Sequence, residues 1–394
     1  VFFPGFPGVS FFFFFSMATQ DLSAQLDIGP TTCSVFSVFN SCSNSIDKAW
    51  QFAENDKGYV DQLAQLLDDY KVYIQPKLHS QLVPFYVARW IHFTNKIEFS
   101  GFADEGETRE LVMKGRKQSG SVTEREVLQT LDILRTTYKP EYSSLERVTS
   151  QFPKLKKWHT IFFTDILENP GHFRQCGAYA EPLEDSSAHL YPHHSILDKA
   201  VEKWIQLCYM FAKEISNYQV PSAKIRFLFA FAAFAQFHIV DIHPFADGNG
   251  RICRFVSKYI LDEILPLPIP MFEDRQKYLA SLIQGRSLSA ENAPQFLYQL
   301  LLETAVATYR DILTKYKTYT IVLEFFACSN EKELDKELQS KKGIEEHVKA
   351  EIKQKFQSLK IGQSETVYEK DVGVYKFMKM AEVHDVFDVS VEDL

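Results

Sequence analysis

One apolar run constrains the fold of this chain more than any other feature. From Phe227 to Val240 the residues read Phe-Leu-Phe-Ala-Phe-Ala-Ala-Phe-Ala-Gln-Phe-His-Ile-Val. A helix that is apolar all round has to be covered all round. The run is short for a bilayer span and contains Gln236, so it reads as a buried core helix opened by Pro221-Ser222. The chain, 394 residues and 45% hydrophobic, has enough apolar material for a sizeable core and one to three domains.

Helical periodicity dominates elsewhere. From Ile46 to about Glu98, apolar residues recur at Val60, Leu63, Leu66 and Leu67, then at Leu82, Phe85, Val87 and Ile91. Residues 99–122, with four glycines and many charges, read as a surface connection holding at most one helix. The spacing Thr123-Glu-Arg-Glu126 fits a capping box at the start of the next helix. Helical patterns follow at 143–151, 155–167 and 195–215, then at 249–263, 275–284, 291–315 and 331–359. The last of these reads as a solvated amphipathic helix. Residues 173–192, after Pro170-Gly171, read as an irregular hairpin. No fixed repeat period stands out.

A net charge of −8 argues against a general nucleic-acid coat. The six cysteines form no CxxC pair, so reduced thiols in an intracellular protein are expected instead of a zinc site or disulfide framework. Residues 1–16, rich in phenylalanine and without a basic leader region, read as unstructured or as a gene-model artefact, with Met17-Ala18 as the start. A cytoplasmic place is expected, with the nucleus or secretory entry left open.

Chemistry concentrates in His243-Pro-Phe-Ala-Asp247-Gly-Asn249-Gly-Arg251-Ile-Cys-Arg254. Gly248 and Gly250 let backbone approach an anion. The helix expected from Asn249 presents unpartnered N–H groups and a positive dipole end to it. Arg251 and Arg254, three apart, share a helix face, and guanidinium forks suit phosphate oxygens. Asp247, beside such an anion, calls for a hard cation such as Mg²⁺ between them. His243 titrates near working pH and could take a proton from a hydroxyl. His238 and His243, five apart, lack a third ligand and do not read as a metal pair. His193 and His194 read as turn residues.

The stretch resembles the HxFx(D/E)GNGRxxR motif of the Fic (Fido-domain) family, over roughly residues 123–310. The resemblance implies an all-α Fic-type core with a small β-hairpin flap. It implies a helical N-terminal segment (17–122), the Fic domain (123–310) and a helical C-terminal extension (311–394). It implies transfer of AMP from ATP to a Ser, Thr or Tyr hydroxyl of a target protein, with His243 as base and Asp247 holding Mg²⁺. Gly248, Asn249 and Gly250 would form the anion hole, Arg251 and Arg254 would grip phosphates, and Phe245 would anchor the core. Gly171-His-Phe-Arg174 and Tyr191-Pro192 resemble the frame of the flap, and strand addition is the expected mode of target recognition. Thr94-Asn-Lys-Ile-Glu98 resembles the family's inhibitory (S/T)xxxE(G/N) motif, except that Phe99 replaces the Gly or Asn. Glu98 would then pair with Arg254 and hold transfer down. The alternatives are a deAMPylase using Glu98 and a catalytically silent binding module. No nucleic-acid or membrane partner is expected; a homodimer is compatible with the resemblance.

Overall fold

The computed structural model describes residues 29–42, 46–114, 121–137, 149–180, 188–218, 220–270, 273–321, 323–328, 331–340, 346–359, 364–369 and 373–379. The expectations for residues 1–16, for most of the helix at 143–151 and for the hairpin centre at 181–187 lie outside the described residues.

The helices, in chain order, are α1 (Ser34–Ser41), α2 (Tyr59–Asp69), α3 (Gln75–Lys96), α4 (Glu105–Lys114), α5 (Val122–Thr137), α6 (Leu155–Phe163) and α7 (Leu197–Ile215). They continue with α8 (Pro221–Ile242), α9 (Asn249–Leu261), α10 (Arg275–Arg286), α11 (Gln295–Ile321), α12 (Glu331–Ser340) and α13 (Glu346–Ser358). Two compact units divide them: residues 1–64 with 81–308, and residues 65–80 with 309–394.

The first unit is helical around α8. Pro221 occupies the first turn, where its missing N–H costs nothing. By length and composition α8 could cross a membrane, but its length lies inside the fold. It packs against α9, α7, α1 and the 3₁₀ segment Ile46–Glu54. Phe229, Phe231, Phe234 and Phe237 are buried, and each contributes about 1.5–3 kcal/mol on leaving water. The indole of Trp204 donates to Ala235 O at 3.1 Å, fastening α7 to α8. Phe152 packs on both Trp204 and Phe231. The only sheet described in this unit is the hairpin of β1 (Tyr179–Ala180) and β2 (His189–Leu190), antiparallel with Ala180 opposite His189.

Residues 81–114 belong to the same compact unit as the motif, so the Thr94–Glu98 stretch is built into its core. The reason is burial: Trp90, Ile91, Thr94 and Asn95 are all within 1% of complete burial.

The second unit gathers residues 65–80 and the C-terminal extension. A π-helical turn, Tyr70–Ile74, separates α2 from α3. The Tyr70 ring packs edge-on against Tyr309 at 5.5 Å, and its hydroxyl bonds His79 Nδ1 at 3.0 Å. The extension was expected to be helical, and α12 and α13 are. It also holds a three-stranded sheet of β3 (Leu323–Cys328), β4 (Ser364–Glu369) and β5 (Gly373–Lys379), in the order β3-β5-β4. β5 pairs parallel to β3 and antiparallel to β4. A parallel pair needs a long crossover, which α12, α13 and β4 supply. Strands of six or seven residues are too short for their period to separate them from helix in sequence.

The cap of α5 also differs from the expected one. Glu124 N–H donates to Ser121 Oγ at 3.1 Å, and Ser121 N–H donates to Glu124 Oε2 at 3.3 Å. The capping box is Ser121–Glu124, two residues earlier than Thr123–Glu126, and Glu126 is released for the site. Ser121→Ala is therefore expected to cost about 1 kcal/mol in denaturant unfolding. Thr123→Ala should stay within about 0.5 kcal/mol of the parent; the reverse order would contradict this cap.

Candidate functional site

The site begins where α8 ends. Pro244 cannot continue a helix, and His243 closes α8 in the left-handed region, φ 50 and ψ 58. That conformation costs a non-glycine residue about 1–2 kcal/mol, so neighbours must hold it. His243 N–H donates to Ile239 O at 3.1 Å, and Arg174 Nε donates to His243 O at 2.8 Å. Arg174, 3% exposed, also donates to Cys176 O at 2.6 Å and to Pro192 O, so one guanidinium ties both ends of the hairpin to the loop. Arg174 N–H donates to Pro244 O at 2.9 Å, and Phe173 bridges Phe245.

The loop then folds on itself. Asn249 clamps Phe245 by two bonds, accepting from its N–H at 2.9 Å and donating to its carbonyl at 2.8 Å. The Asn249 side chain thus shapes the loop and is not turned to a ligand. Phe245 is fully buried and stacks on His159 at 3.9 Å. His159 accepts from Gly171 N–H at Nδ1, 2.8 Å, which leaves Nε2–H to donate to Asp247 O at 3.0 Å. Gly248 sits at φ 79, and a methyl group there would overlap the Phe163 ring.

His243 lines a cavity of about 660 Å³ together with Glu98, Asp247, Gly248, Asn249, Gly250 and Arg254. Its Nδ1 lies 3.3 Å from Val240 O, which assigns the proton to Nδ1 and a lone pair to Nε2. Burial, then the positive charge of Arg174, pushes its pKa down to about 3. The imidazole is therefore neutral at neutral pH, the form that can accept a proton.

Arg254 is 0% exposed. Its Nε donates to Thr94 Oγ1 at 2.9 Å, and its Nη2 donates to Thr94 O at 2.8 Å and to Glu98 Oε1 at 2.7 Å. Its Nη1 is buried with no partner among the described residues and would lie 3.0 Å from a methyl group on Gly250. Glu98 Oε1 lies over Gly250, so closely that a methyl group would overlap it. The carboxylate thus rests on the N-terminal turn of α9, where an anion is favoured. Burial raises the Glu98 pKa, but Arg254, then Arg251 and Arg275, outweigh it and hold the carboxyl below its usual range.

Phe99 follows in the left-handed region, φ 55, which explains the preference for Gly or Asn at that position in the resembled motif. It is exposed, and Arg275 lies over its ring at 4.6 Å while donating to Ile97 O at 2.9 Å.

Arg251 has one nitrogen engaged and another, Nε, buried with no partner among the described residues. Its Nη1 pairs with Glu126 Oε1 at 3.1 Å, and its guanidinium lies over Phe163 at 4.4 Å. Glu126 also accepts from Gly101 N–H at 2.9 Å. Three residues on a helix leave about 60° between side chains, enough to send Arg254 to Glu98 and Arg251 to α5. Asp247 is exposed and accepts from Gly248 N–H at 2.6 Å. Among the described residues no cluster of three or more His, Cys, Asp or Glu could hold a metal. A single carboxylate beside the cavity suits a hard cation that takes its other ligands from phosphate and water.

His159 and His238 are also buried, and burial lowers the pKa of each to about 4. With His243, three histidines stay neutral in the fold where unfolded ones protonate. The unfolded chain then binds more protons below pH 6.5, so stability falls as pH drops. The thermal midpoint is expected to fall between pH 6.5 and 5, above the carboxylate range; a midpoint that holds or rises would contradict buried neutral imidazoles.

Residues 151–261 match the Fic/DOC family. The chain is 31% identical over 88 residues to a Fido domain-containing protein of Dictyostelium discoideum, covering 22% of this chain and 62% of that one. It is 28% identical over 138 residues to a protein adenylyltransferase Fic of Nematostella vectensis, covering 33% of this chain and 30% of that one. This chain thus spans less than two thirds of either relative. A crystal structure of a Fic family protein from Desulfovibrio desulfuricans superposes with TM-score 0.51 at 17% identity, over 67% of this chain and 75% of that one. Fic-1 from C. elegans superposes with TM-score 0.50 at 15% identity, over 66% and 72%. With the motif loop and the helix pair around it in place, this chain carries a Fic/Fido domain over residues 151–261.

Proposed function

We propose that this protein is a protein adenylyltransferase held down by Glu98. One observation carries the reading: a neutral imidazole and a buried guanidinium with an unpartnered Nη1 share one cavity at the start of a helix. His243 Nε2 takes the proton of a Ser, Thr or Tyr hydroxyl on a target protein. The freed oxygen bonds to the α-phosphorus of ATP, the bond to the β-phosphate oxygen breaks, and pyrophosphate leaves. The N–H groups of Asn249 and Gly250 and the Arg254 guanidinium face the phosphate charge, while the Gly248 N–H is held by Asp247. Arg251, one edge held by Glu126, stands on the first turn of α9 with its Nε unpartnered among the described residues. Asp247 would hold Mg²⁺, which would supply charge neutralisation of the phosphates when bound. The Nematostella relative's name supports the nucleotidyl class.

Glu98 acts as the brake because its carboxylate rests on the same turn and the same arginine that a phosphate would use. That seat also favours a second reading, removal of AMP, in which the carboxylate orients a water molecule.

Transfer is tested with ATP labelled on the α-phosphate in the presence of Mg²⁺. His243→Ala is expected to lower labelling by at least about 10²-fold, the contribution of a positioned base. Glu98→Gly should raise self-labelling by about tenfold or more. Label arriving only from γ-labelled ATP would mean phosphorylation, and undiminished transfer by His243→Ala would sink the mechanism. Release of AMP from a pre-labelled target by wild type, lost in Glu98→Gly, would select the second reading.

A further inference from the structure

Behind the base lies a tier of polar groups that proton transfer does not use. Asp241, two residues before His243, is 8% exposed. Its Oδ2 accepts from Ser34 Oγ of α1 at 2.9 Å. Its Oδ1 accepts from Arg286 Nε of α10 at 3.2 Å and lies 3.1 Å from His189 Nε2 of flap strand β2. Three elements from distant parts of the sequence meet on one carboxylate, whose pKa is held far below its usual range. Burial opposes that, and His189 and Arg286 outweigh it.

The same groups reach His243 through one ring. Tyr191, one residue after β2, is 6% exposed and lies parallel to the His243 imidazole, with centroids 3.8 Å apart and planes 16° apart. His189 packs edge-on against Tyr191 at 4.9 Å. The Arg286 guanidinium lies 5.6 Å from the Tyr191 ring centre. A flat face at stacking distance restricts the imidazole's rotation about its second side-chain torsion, which otherwise has a broad profile. Asp241 therefore fixes His189 and Arg286, these fix Tyr191, and Tyr191 fixes the plane of the base.

We propose that the flap and the base form one unit, in which docking of the β2 strand on Asp241 seats Tyr191 against His243 and aligns the base only while the flap is down. Tyr191, His189 and Asp241 are then positioning residues: none exchanges a proton with substrate. The inference rests on the reading of His243 as the general base.

The test uses the full chain with histidine labelled at Cε1, and His243→Ala assigns the resonance. Beneath the Tyr191 ring the His243 signal is expected upfield of an ordinary histidine, and Tyr191→Phe should keep it there. His189→Ala, which removes a half-exposed side chain of the hairpin, should move the signal toward its ordinary position. Asp241→Asn should do the same. In steady-state transfer the two variants should lose about tenfold in kcat while KM for ATP stays within about twofold, the split expected when alignment and not binding is lost. A His243 signal unmoved in both variants would overturn the coupling, whatever happens to kcat. The resonance is read without turnover, so a Glu98→Gly protein that transfers no AMP would reject the adenylyltransferase reading and still leave the coupling decided.

Discussion

A fully buried guanidinium is the constraint on which this site depends. Arg254 has no exposure, and removing the partner of a buried charge costs about 3–5 kcal/mol. The chain meets that demand with Thr94 from two directions and with the Glu98 carboxylate. Thr94 and Glu98 lie four residues apart across the C-terminal end of α3, so one turn of backbone supplies the three hydrogen bonds described for this cation, and the Tyr278 ring lies 5.7 Å away. If Glu98 leaves, Arg254 keeps its two bonds to Thr94 and the start of α9 is left favouring another anion. The arrangement therefore favours one anion at a time, the protein's own or a ligand's.

Around that exchange, the fold spends its interactions on holding a strained loop. His243 sits in the left-handed region and is kept there by Arg174, Tyr191 and the end of α8. Asn249 and His159 then fix the path from Phe245 to Gly248, each using both of its polar atoms on backbone. Gly248 and Gly250 are fixed by what surrounds them: the Phe163 ring at one, the Glu98 carboxylate at the other. Neither position has room for a methyl group, so the loop's shape and the seat of the Glu98 carboxylate are set by the same close contacts.

The sequence carried the local part of this account well. His243, Asp247, Gly248, Gly250 and Arg254 were legible because a short loop between two helices fixes their order, and helical period fixes where those helices run. Glu98 was legible from its motif and lies against Arg254. What could not be read is tertiary. Arg251 was expected to grip phosphate, and the pairing of its Nη1 with Glu126, 125 residues away, could not be read. The expected anion hole at Gly248 to Gly250 rests on backbone N–H groups; that the Asn249 amide clamps the backbone of Phe245 at two points could not be read. Asp241, Arg286 and His159 gave no signal, since a lone charged or aromatic residue on a helix has no spacing to betray it. The C-terminal sheet escaped because its strands are too short for their period to tell.

The central claim is that Glu98 and a nucleotide phosphate compete for Arg254 and the first turn of α9. Calorimetric titration of Mg²⁺–ATP into wild type, Glu98→Gly and the double variant with Arg254→Ala tests it most directly. Glu98→Gly is expected to bind about tenfold or more tightly than wild type, and Arg254→Ala to remove that gain. Equal affinity in wild type and Glu98→Gly, or a gain that survives the loss of Arg254, would contradict it.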